Sequence, residues 1–113
     1  MKRIEIINIF RTLGKIKLNK VEDKAMRNAL ISDHLKMFRV AKEHDDYIAS
    51  LQGQFEPEAI KDINEAYQRY AEEEVKIDFD KIDRDAFGDV IAKGDIDLTL
   101  GEMVVLEPLF KED

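Results

Sequence analysis

The segment from Lys20 to Gln52 runs without a proline or glycine, carries apolar residues at helical spacing, and is followed by Gly53. Met26, Leu30, Met37, Ala41, Ile48 and Leu51 form one stripe at three- and four-residue steps. Ile31, Leu35 and Phe38 form a second stripe beside it, so more than half the circumference between Met26 and Ala41 is apolar. Such a helix is expected to be covered on two sides. It is the spine around which the rest of the chain has to fold.

The flanking segments are shorter. Ile6, Ile9, Phe10 and Leu13 recur at helical spacing, and Gly14 is placed to end that helix in the left-handed conformation. KIKL (15–18) alternates and reads as a short strand or extended link. Pro57 fits a helix first turn, and Ile60, Ile63, Ala66, Tyr67 and Tyr70 then make one apolar face. The short link QGQFE makes that helix the antiparallel neighbour of the spine. At Val75 the period changes to two, with Val75, Ile77 and Phe79 alternating against Lys76, Asp78 and Asp80, as in a half-buried strand.

Asp83 is placed to cap a short helix that Gly94 ends, and Ile96 and Leu98 alternate again. Thr99 and Glu102 have capping-box spacing, with Leu98 and Met103 as the hydrophobic staple. Pro108 should loosen the last turn of the final helix. These readings predict one mainly α (α+β) domain over residues 1–113. It would comprise a long antiparallel hairpin, Lys20–Gln52 against Pro57–Glu74, with short terminal helices. A minimal two- or three-stranded sheet from KIKL, VKIDF and DIDL would complete it.

A chain of 113 residues suits a single domain, which by size scaling would expose roughly 6,400 Å² once folded. The absence of cysteine excludes disulfides and thiolate metal sites. Glu5, Asn8 and Arg11 interrupt the opening MKRIEIINIF, and no apolar run approaches a membrane span, so a cytoplasmic location is expected. The net charge of −7 is unevenly spread, with residues 1–42 carrying 11 Lys+Arg against 4 Asp+Glu. Lys20, Lys24, Arg27, Lys36, Arg39 and Lys42 are therefore the candidate interaction surface. A basic half of this kind can bind nucleic acid, but such domains normally carry net positive charge, and here the acidic half offers attraction within the monomer.

Sites for chemistry are sparse. His34 falls within the apolar arc and reads as a core histidine with one hydrogen bond. His44 adjoins carboxylates, yet ten residues turn it about 80° from His34, so the two cannot share a metal. In the acidic segment Asp78–Asp89, a calcium loop starting at Asp83 puts Phe87 and Gly94 where oxygen ligands belong, and it fails. Ser32, Ser50, Thr12 and Thr99 are the serine and threonine hydroxyls, none in a nucleophile-elbow context, and no glycine-rich phosphate loop occurs. These absences point away from an enzyme and from any cofactor.

IEIINIFRTLGKIKL followed by a basic long helix, then EEEVKIDFDKI and LTLGEMVVLEPLF, resembles a family of small uncharacterised proteins encoded in tailed-phage and prophage genomes. The resemblance covers most of the chain, with NKVEDKAMRNAL only approximating the family's small and basic helix opening. It implies a phage origin and an unknown, non-enzymatic role, and it carries over no site residues; together with the absence of catalytic motifs and the two-sided spine it leads to the expectation of an accessory or assembly factor with a protein partner. Nucleic-acid or host-regulator binding through the basic half is the second reading.

One expectation concerns the second stripe. The 57–74 helix can cover only one side of the spine, so the terminal helices are expected to cover Ile31, Leu35 and Phe38 within the monomer. Any homodimer would then form elsewhere, weakly.

Overall fold

The computed structural model describes residues 1–54, 60–94 and 96–112. Five α-helices account for most of it: α1 (Arg3–Leu13), α2 (Lys24–Gln54), α3 (Ile60–Glu72), α4 (Arg84–Lys93) and α5 (Leu100–Val105). Among the described residues 3-10 turns occur at Leu18–Lys20, between α1 and α2, and at Glu107–Leu109, after α5. The spine begins later than its periodicity suggests. Asp23 accepts the Met26 N–H at 3.0 Å, so its carboxylate caps α2 and leaves Lys20 on the preceding turn. The expected Pro57 start and the QGQFE link extend into residues 55–59, outside the described residues.

The first stripe forms the core. Met26, Leu30 and Met37 are buried with Ile6, Ile9 and Leu13 of α1, Ile16 and Val21 of the following turn, and Ile82, Phe87, Leu106, Leu109 and Phe110 from the carboxy-terminal third. The core therefore gathers around the amino-terminal half of α2. Along the other half α3 packs antiparallel: Leu51 and Ile48 lie beside Ile63, and Tyr47 stacks on Tyr70 at 4.0 Å. Ile60, expected on the buried face of α3, is exposed. The molecule is consequently elongated, 51 × 26 × 22 Å, with a radius of gyration of 16.5 Å against about 13 Å for a compact chain of this length. Its surface of 7732 Å² exceeds the size-scaling expectation for the same reason.

The helix ends follow local chemistry. Asp83 accepts the Ala86 N–H, and Thr99 and Glu102 form the reciprocal capping box. At the other end of α4, a Cβ on Gly94 would stand 3.0 Å from the Val90 carbonyl oxygen and 3.2 Å from the Ile96 side chain. Gly14 is right-handed (φ −62°), contrary to expectation, because the chain continues into a helical-type turn. Pro108 sits in the 3-10 turn that replaces the last α-helical turn. The last turn of α3 is met by Arg3, whose guanidinium donates to the Tyr70 carbonyl at 2.8 Å, pairs with Glu73 at 2.8 Å, and lies 3.8 Å over the Tyr70 ring.

The expected sheet does not form among the described residues. KIKL becomes a bend leading into the 3-10 turn, and Ile96–Leu98 has no strand partner. Residues 75–81 run without turn or bend, and Val75, Ile77 and Phe79 are indeed more buried than Lys76, Asp78 and Asp80. Their inward side chains pack on helices, however, and isolated bridges hold only the ends, Lys2 with Glu74 and Ile82 with Phe110. Period-two burial records which side chains face inward. It does not specify that a strand lies alongside.

Leu30 is fully buried in the core, so Leu30→Ala should destabilise the fold by about 2–5 kcal/mol, whereas Thr99→Ala should cost about 1 kcal/mol. Denaturant unfolding of both variants checks the ranking.

Candidate interaction face and a buried carboxylate

The second stripe is not covered by the terminal helices. Ile31, Leu35 and Phe38 are 37%, 63% and 51% exposed. The terminal helices place most of their apolar residues on the first stripe, and Phe10 approaches the second with its ring 6.2 Å from that of Phe38. On the other side, Val75–Asp78 form a wall. Together with Asn28, Ile31, Ser32, Leu35 and Arg39 of α2 they enclose an open groove of about 890 Å³.

The candidate basic residues divide. Lys24, Arg27 and Lys42 continue the line of Ile31, Leu35 and Phe38 at three- and four-residue steps, and Arg39 stands beside it. Lys36 is committed to the wall, donating to the Asp78 carbonyl at 2.9 Å and lying 3.6 Å from the Asp80 carboxylate. Lys20 belongs to the turn before α2. The face is thus an apolar stripe with cations at both ends.

His34, expected as the core histidine, is not the buried one. His34 is half-buried and stacks on Phe10 at 4.6 Å. His44 is the buried one, 3.2 Å from an Asp45 oxygen and 3.4 Å from the Tyr67 hydroxyl, with its ring edge-on to Tyr67. Among the described residues no three His, Asp or Glu side chains gather as a metal site would require. The aspartates at positions 78, 80, 83, 85 and 89 are exposed.

Asp33 is the residue that motif reasoning passed over. It is completely buried, accepts the Asp80 N–H at 2.6 Å through one oxygen, and leaves the other oxygen without a partner. Burial pushes its carboxyl up to about 6; the Asp80 carboxylate adds to the rise, and the Asp80 N–H, Lys36 and Lys81 oppose it. A signal was available in the sequence. Asp33 is the one acidic residue between Lys24 and Lys42, and it occupies the register of the core stripe between Leu30 and Met37.

Comparison with protein-family models, curated proteins and solved structures finds no match to this chain. No helix among the described residues is long and apolar enough to cross a membrane.

Two predictions follow from this geometry. Leu35→Asp should fold with stability within about 0.5 kcal/mol of the parent, because the side chain already stands mostly in water; thermal melts check it. Asp33 retains its proton in the folded chain at pH values where the unfolded chain, at the ordinary 3.8, has lost it. Its contribution is therefore largest below 3.8 and declines as pH rises through about 6. Glu102, lowered chiefly by its hydrogen bond from Lys15, acts below its ordinary 4.5 and in the opposite sense. Asp33→Asn should accordingly flatten the melting profile between pH 4.5 and 6 and match or exceed the parent at pH 7.5. An unchanged profile would contradict the assignment.

Proposed function

We propose that this chain is a small non-enzymatic interaction protein of phage or prophage origin, an accessory or assembly factor that holds a protein partner on the outer face of α2. The observation that carries the reading is the uncovered row Ile31–Leu35–Phe38 on a helix whose opposite side is core. Covering what these side chains still expose is worth roughly 2–4 kcal/mol, at about 1.5–3 kcal/mol for each fully buried side chain. Contiguous exposed apolar patches commonly mark such contacts. The phage resemblance of the amino- and carboxy-terminal segments supports the accessory or assembly role.

Nucleic-acid binding is the second reading, favoured by one observation: Lys24, Arg27 and Lys42 extend the same line that exposes the Phe38 ring. A mobility shift across salt concentrations separates the two, because phosphate contacts weaken steeply with salt. A photo-crosslinking residue at Leu35, expressed in cells carrying the parent genome, should trap a defined protein that the same group at the exposed Lys61 of α3 does not. Equal capture at both positions, or capture of nucleic acid alone, would reject the docking reading.

A further inference from the structure

We infer that the occupant of the α2 face is an amphipathic helix of another protein, with an apolar ridge bounded at both ends by carboxylates. The inference rests on the docking reading above and names the chemistry of the partner. Ile31, Leu35 and Phe38 stand at the i, i+4, i+7 spacing with which one helix reads another; Ile31 and Leu35 line the groove against Val75–Asp78, and Phe38 continues the row beyond it beside Phe10.

Charge selects the ends. From Lys24 to Lys42 the exposed charges of α2 are all positive, since Asp33 is buried on the opposite side. Lys76 adds another cation on the wall. Among the described residues none of Lys24, Arg27, Arg39, Lys42 and Lys76 has an ion-pair partner within 4.0 Å, although acidic residues outnumber basic ones in the chain, 25 to 18. Glu43 and Asp78 are the carboxylate residues that line the groove, at its Arg39 and Lys36 side. Carboxylates at the two ends of an incoming ridge would therefore meet unpaired cations at both ends of the stripe.

The same arrangement disfavours the other occupants. A two-fold dimer through this face would set Arg39 and Lys42 against like charges on the second copy. The phosphate backbone of a nucleic acid matches the cations but offers no aliphatic ridge to Ile31 and Leu35 between them.

The test uses the whole chain and two fluorescent peptides of about five helical turns. Both carry the same leucine ridge at three- and four-residue steps, one with glutamates at both ends of the ridge and the other with lysines there. Anisotropy at low salt should show the glutamate peptide binding at least about tenfold more tightly, with the advantage shrinking at about 0.5 M salt. Amide shifts should fall within Lys24–Lys42 and Val75–Asp78. Arg39→Glu with Lys42→Glu, both exposed and checked for an unchanged melt, should reverse the preference. Leu35→Asp should abolish binding of either peptide.

Equal binding of both peptides on this face, untouched by charge reversal, overturns the acidic partner while leaving docking intact. Absence of binding by either peptide overturns the inference, and the Leu35 crosslink then decides the docking reading separately. Displacement of the glutamate peptide by a single-stranded oligonucleotide, or a homodimer that Leu35→Asp dissolves, also overturns it.

Discussion

The packing of α1 on the Met26–Leu30–Met37 stripe of α2 is the contact on which the rest of the structure depends. It consumes Ile6, Ile9 and Leu13, and it fixes the side of the spine to which the carboxy-terminal third attaches through Leu106, Leu109 and Phe110. Once those apolar residues are used there, no covering helix is left for Ile31, Leu35 and Phe38. The exposed face is thus a consequence of where the core forms. Leu100 and Val104 of α5 stay exposed themselves and do not cover it.

The return arm of the chain shows how side chains can substitute for a sheet. Beyond Glu72 the backbone leaves α3 and follows α2, and its polar groups are met by Lys36 at the Asp78 carbonyl and by Asp33 at the Asp80 N–H. The partly buried Asp80 N–H needs a partner, and α2 supplies it from the Asp33 side chain. Asp33 does so at the cost of burying a carboxylate with one unpaired oxygen, which is why its proton is held unusually tightly. The same anchoring positions Val75–Asp78 as the wall of the groove, so a core residue helps shape the surface face.

Much of the helical architecture was legible before any coordinates. The first stripe, the Asp83 and Thr99–Glu102 caps, and the disruption at Pro108 all appear where spacing placed them. The candidate cations were legible as well, although Lys20 falls on a turn and Lys36 is tied to the wall. The roles of His34 and His44 were not, because the half-buried and buried positions differ by which neighbour arrives: Phe10 beside one, Tyr67 and Tyr70 around the other.

The sequence by itself determined the elements whose causes lie within a few residues. A helical stripe depends on spacing of three and four, and a cap on a side chain reaching an N–H three positions away. Tertiary structure alone decided which of the two stripes was covered, that the alternating 75–81 segment packs on helices, and that Asp33 is buried. The physical reason is that a periodic pattern states which residues share a face and leaves open what lies against it. That choice is made by competition among distant apolar surfaces for a limited number of partners.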